Sequence, residues 1–187
     1  MKKLLILATL ATLPINSLLA ASYSIDPGHT YVSFAVSHLG FSTLRGKFDK
    51  QSGSLDFDPA AKKASVKIEI DAASIDTGHA KRDAQLQSPD FLNAVENPTI
   101  TFESTSAKWN GDKLASVTGN LTILGVSKPV TLTITSMKCG PHPFAKTDAC
   151  GFDATGSIKR SDFGVNYGLP GIGEVLDLNI ELEAIQN

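Results

Sequence analysis

The chain has 187 residues, with 17 Lys and Arg against 19 Asp and Glu and a formal charge of −2. That length suits one hydrophobic core, and the charges are interspersed without the basic block that grips phosphates, which excludes nucleic acid as a partner. Beyond the N-terminal segment no apolar run is long enough for a helix to cross a bilayer, which excludes stable membrane insertion of that kind.

Met1-Lys2-Lys3 gives a positive start, Leu4–Leu13 an apolar run, and Pro14–Ala20 a smaller, more polar stretch. The pattern predicts a secretory signal peptide over residues 1–20, cut near Ala20 or Ala21, and one mature periplasmic domain over 21–187. Its removal takes two lysines and leaves a formal charge of −4.

Strand patterns follow in order. Thr30, Val32, Phe34, Val36 and His38 share one face, with Tyr31, Ser33, Ala35 and Ser37 on the other. Lys47–Phe57 is less regular, because Phe48 is out of phase with Leu55 and Phe57; Gly53 between them suggests a bulge. Ala64, Val66, Ile68 and Ile70 alternate with polar residues after the turn Asp58-Pro59-Ala60-Ala61.

Residues 76–97 break the pattern. Ala80–Leu86 has neither Gly nor a β-branched residue and predicts a short helix, capped by Asp76 or Thr77 and stopped by Pro89. In a strand-rich chain this irregular segment is the natural place for function. Ile100 and Phe102 then resume the alternation. Asn110-Gly111 signals a hairpin, Ala115, Val117, Gly119, Leu121 and Ile123 share a face, and Gly125–Lys128 turns the chain into Val130, Leu132 and Ile134. Phe152, Ala154, Gly156 and Ile158 form another face, and Leu176, Leu178, Ile180 and Leu182 the last.

Cys139 and Cys150 are the only cysteines, and both lie in the exported part. In an oxidising compartment they predict one disulfide around the loop that holds Gly140-Pro141-His142-Pro143-Phe144.

Seven or eight strands without regular intervening helices exclude a βαβ fold and leave an antiparallel sandwich or barrel. Gly119 and Gly156 on inward faces permit strong curvature or leave interior space.

Several segments resemble the YceI-like, polyisoprenoid-binding family. They are Asp76-Thr77-Gly78-His79, Arg82-Asp83, Leu86, Asp90-Phe91-Leu92 and Pro98–Phe102, then Gly119–Thr122 with Gly125–Val130, and Arg160-Ser161-Asp162-Phe163-Gly164. The resemblance implies an all-β, lipocalin-like antiparallel barrel of about eight strands with a short helix and long loop inserted. It also implies a long apolar ligand of the isoprenoid-quinone type, carried as cargo with no cofactor, and a homodimer; a polyprenol or a fatty-acyl lipid is equally open as cargo.

The candidate ligand-binding residues are Val32, Phe34, Phe48, Phe57, Phe91, Phe102, Leu121, Leu132, Phe152, Phe163, Leu178 and Ile180. The chain would enter beside Asp76–Asn97, with threonines, Asn93 or Tyr167 meeting a polar head. The competing reading is an enzyme or metal site at His79, Arg82 and Asp83 with Asp76, drawing further ligands from His29, His38 or Asp26. The chain lacks the common hydrolase, zinc-protease, phosphate-loop and dinucleotide motifs, and capping is the plainer role for His79. A filled, purely structural barrel is a third reading.

Overall fold

The computed structural model describes residues 21–187, and the expected signal peptide lies outside them. The elements are β1 (Ala21–Ile25), β2 (Tyr31–His38), β3 (Ser42–Phe48), β4 (Gln51–Asp58), β5 (Lys63–Asp71), β6 (Ile75–Asp76) and α1 (Ala80–Gln87). They continue with β7 (Thr99–Asn110), β8 (Lys113–Ile123), β9 (Val126–Pro141), β10 (Asp148–Lys159) and β11 (Ile172–Gln186).

Three pairs of these strands are halves of one bent stave each: β1 with β2, β3 with β4, and β5 with β6. Counted this way, eight antiparallel staves run in chain order. The last, β11, closes the barrel by pairing with β2 through Ile172–Glu181 and with β1 through Ala184–Gln186. Closure leaves few strand edges open to another sheet.

The three bends lie side by side. Asp49 N–H donates to the Ser74 carbonyl at 3.0 Å, and Asp71 N–H to the Lys50 carbonyl at 3.0 Å. Gln51 Nε2 reaches the Pro27 and Thr30 carbonyls in the first break. At the third, Asp71 caps a single 3-10 turn, Ala72–Ser74, by accepting from Ala73 N–H at 2.9 Å. The irregularity expected within 47–57 is therefore a break at Asp49–Lys50. Gly53 keeps regular register opposite Ile68 and serves close packing, since a Cβ there would run into the Lys67 carbonyl.

The two ends of the barrel differ. One carries Ala21, the C-terminus, the 59–62 and 111–112 turns and the disulfide loop. Its interior is packed: the Phe57 ring lies 5.7 Å from Trp109 and 5.5 Å from Phe152, with Tyr23, Leu55 and Leu182 buried nearby in the same core. The other end carries the Leu39–Phe41 turn, the 77–98 segment, the Leu124–Gly125 turn and residues 160–171. The turn after β8 is thus two residues, Leu124 and Gly125, both at positive φ, and Val126 already belongs to β9.

Gly119 and Gly156 leave no space. The Phe102 ring occupies the place of a Gly119 Cβ, and Leu132 that of Gly156. Large inward neighbours take the room that the missing side chains give up.

Cys139 and Cys150 face each other on β9 and β10 and form a disulfide, with Cα atoms 4.1 Å apart. Replacing both by serine should lower unfolding stability by about 2–3 kcal/mol through loop-closure entropy. Urea titration of the two proteins checks this, with an unchanged midpoint as the contrary result.

Candidate functional site

Staves formed by β3–β4 and β5–β6 do not pair along their full length. β6 meets β3 only at Lys47–Asp76 and Phe48–Ile75. From Gly46 to Ser42 the β3 edge faces no strand on that side, and the chain after Asp76 leaves the wall to build α1. The side gap opens next to the segment singled out by its composition.

The turn into α1 is set by Gly78, whose φ of +75° suits glycine. Its N–H donates to Asp76 Oδ1 at 2.8 Å. His79 is the N-cap, with Nδ1 accepting from Arg82 N–H at 3.3 Å. The expected caps, Asp76 and Thr77, are otherwise engaged. Asp83 accepts the Thr77 N–H at 2.9 Å and also the Thr77 hydroxyl. Arg82 donates from Nε to Thr77 Oγ1 at 2.7 Å and from Nη2 to the Thr77 carbonyl at 2.8 Å. The Thr77 hydrogen bond holds the Asp83 carboxyl below the usual carboxylate range, against a smaller opposing effect of burial.

A group with a lowered folded pKa stabilises the fold above its unfolded pKa and loses that contribution as pH falls through the folded value. Amide protection of α1 should therefore drop below about pH 3.9, the unperturbed aspartate value. Asp83→Asn should show weakened protection already at neutral pH. Hydrogen exchange across that range measures both, and pH-independent protection in the wild type would contradict the anchor.

Past α1, Leu92 N–H bonds to the Leu86 carbonyl and Ala94 N–H to the Gln87 carbonyl, each near 3 Å. This folds Phe91 and Ala94 inward, and both are buried. On the far side, β10 ends in the 3-10 turn Arg160–Phe163. Arg160 is only 4% exposed, and its guanidinium donates to four carbonyls, those of Val165, Tyr167, Ile172 and Gly173. Burial pushes its pKa down, partly offset by Glu174, but an arginine keeps its charge.

These elements enclose a cavity of about 560 Å³ in the upper half of the barrel. That lies within the roughly 300–1,000 Å³ of small-molecule pockets. Seven of the twelve candidate residues line it: Val32, Phe34, Phe48, Phe91, Leu121, Phe163 and Leu178. Phe102, Leu132, Phe152 and Ile180 instead line a separate void of about 60 Å³ in the lower half, and Phe57 is buried in the aromatic floor. For the candidates on strands an inward phase was inferred, but inward positions near the floor meet other side chains rather than open space.

Asn93 and Tyr167 do not line the cavity; Tyr167 packs beside Phe91 with ring centroids 5.3 Å apart. The polar lining comes from His38, Ser42, Thr43, Arg45, Thr77, Arg82, Gln85 and Arg160. Arg45 and Arg160 were missed because nothing in strand alternation marks them; the only signal for Arg160 was the motif that begins with it.

His79 gathers no ligand set. Among the described residues the His and carboxylate atoms that converge are those of Asp26, His29 and Glu183, all within 4.8 Å of one another. Asp26 lies 2.8 Å from His29, and neither His79 nor Asp83 belongs to this group.

The YceI-like domain family matches residues 23–184. The chain belongs to the YceI-like family. Protein YceI of Escherichia coli O157:H7 is 43% identical over 193 residues, covering all of this chain and 99% of that one. Among YceI-like and related crystal structures, Burkholderia cenocepacia BcnA superposes with a TM-score of 0.73 at 28% identity, covering 85% of this chain and 98% of that one. A polyisoprenoid binding domain from Saccharophagus degradans has the same fold, with a TM-score of 0.64 over 90% of this chain and 99% of that one. Its identity to this YceI-like chain is 16%.

Proposed function

We propose that this YceI-like protein is a periplasmic carrier that holds one long apolar chain in the upper half of its barrel. The carrying observation is the cavity of about 560 Å³, walled largely by aliphatic and aromatic side chains and open beside α1. Each methylene removed from water contributes ~0.8 kcal/mol, so a hydrocarbon chain needs little polar recognition to bind there. Binding of a polyisoprenoid by the Saccharophagus degradans domain supports this class of cargo.

A cavity of this size suits one long chain rather than several. Val32, Phe34, Phe48, Phe91, Leu121, Phe163 and Leu178 form the binding wall in this reading. Export by residues 1–20 delivers the carrier to the periplasm. Binding, rather than catalysis at His79, Arg82 and Asp83, is the activity, since those three side chains hold α1 in place.

Protein purified from the periplasm without detergent should yield one dominant apolar molecule per chain on solvent extraction and mass spectrometry. An empty interior that also refuses added polyprenyl and fatty-acyl probes contradicts the carrier reading. Homodimerisation belongs to the same proposal. Leu39, Phe41 and Val95 expose large apolar surface at the cavity end, with Phe41 91% exposed. Sedimentation equilibrium should show a dimer, and a monomer across a wide concentration range would refute that part.

A further inference from the structure

We infer that the preferred ligand carries an acidic head, a carboxylate or a phosphate, bound beside Arg82 at the gap between α1 and the β3 edge. The inference rests on the carrier reading above and specifies the chemistry of its ligand. Its basis is the sign of the charge on the cavity wall. Arg45, Arg82 and Arg160 line the cavity, and no Asp or Glu does among the described residues.

The charge is only partly compensated: Glu174 acts on Arg160 and Asp83 on Arg82, both from outside the cavity lining. Arg160 is almost fully buried and is held by four neutral carbonyls rather than by a carboxylate. Its positive charge therefore acts across an apolar, weakly screening interior. Arg82 uses Nε and Nη2 on Thr77, which leaves Nη1 with no protein acceptor among the described hydrogen bonds. The Asp83 carboxylate, hydrogen-bonded to Thr77 and attracted to Arg82, offsets part of that charge from outside the cavity lining.

A guanidinium fixed by two bonds on one side presents its remaining N–H groups in a fixed fork, and that geometry suits a carboxylate or phosphate oxygen pair. Gln85, Ser42 and Thr43 add neutral polar groups to the same lining. The hydrocarbon then runs inward past Phe34 and Leu178, where only apolar contacts are available. A neutral head would leave the arginines without an anionic partner inside the cavity, and an ammonium head would be repelled.

The test uses mature protein and four probes: oleate, oleyl alcohol, geranylgeranyl monophosphate and geranylgeraniol. Each acid is paired with a neutral partner of the same chain, and affinities are measured by calorimetry. Each acid should bind at least roughly ten-fold tighter than its neutral partner, the scale of a charge-assisted hydrogen bond. The ratio should shrink in high salt and approach one in Arg82→Gln, with part of it restored by Arg82→Lys.

The affinity of the neutral probe in each variant reports whether the cavity still forms. A preference for oleate alone or for the phosphate alone identifies which acid the head site takes. Equal affinity of acid and neutral partner in the wild type overturns the acidic-head inference while leaving the carrier reading intact. A ratio unchanged in R82Q, with the neutral probe still bound, overturns the assignment to Arg82. Failure of all four probes to bind removes the carrier reading and this inference with it.

Discussion

Leu178→Trp should shorten the longest chain the protein retains. Leu178 sits on β11 opposite Phe34 of β2, and both line the large cavity. The added indole volume has to come out of the space available to ligand, because the wall behind Leu178 is a paired strand on both sides. Displacing about two methylenes at ~0.8 kcal/mol each amounts to ~1.6 kcal/mol, or roughly fifteen-fold weaker binding of a full-length chain. A chain shorter by three or four carbons should bind the variant and the wild type alike. Calorimetric titration with both chains checks the pair of outcomes, and equal weakening for both lengths would mean that the wall had collapsed instead of narrowing.

Phe102→Ala should do the opposite, at a larger cost to the empty protein. Phe102 stands at the boundary between the two halves of the interior. Its partner on β8, Leu121, lines the large cavity, while its partner on β5, Ile68, lines the small void below. Its ring also fills the place beside Gly119. Removing that ring from a buried position should destabilise the ligand-free protein by about 3–5 kcal/mol. It should also join the two spaces, so that chains several carbons longer than the wild-type limit bind and recover part of the lost stability. Denaturant unfolding with and without a long-chain probe measures both. A loss of stability with no gain in permitted length would show that the lower half refills from its own side chains.

Much of this architecture is legible in the chain. The alternation of Val32, Phe34 and Val36 and of Leu176 to Leu182 reports which face of each stave is inward, since the period of a strand is two whatever the curvature. The break at 76–97 is legible because a helical run with Pro89 behind it cannot continue a ladder. Depth along the barrel is a different quantity. Phe34 and Phe57 have the same inward pattern, yet one lines open space and the other packs against Trp109 and Phe152, because neighbours from distant strands decide what each side chain meets.

The same limit explains the polar side of the site. Asn93 and Tyr167 looked suited to a head group by residue type, whereas Arg160 is brought to the cavity by a loop that closes around its own guanidinium. Two inward glycines suggested space, and packing across strands filled both. His79 combined with Asp83 on helical spacing could have suggested chemistry, but the register of the Gly78 turn makes His79 a cap and turns Asp83 toward Thr77.

Binding affinity measured against chain length is the most direct test of a barrel that carries one chain in its upper half. A homologous series with a constant head, titrated into ligand-free protein, should gain roughly four-fold per added methylene, the equivalent of ~0.8 kcal/mol. The gain should stop at a limiting length, where the cavity of about 560 Å³ is filled. Affinity that does not depend on chain length, or the absence of saturable binding at any length, would contradict a carrier with this interior.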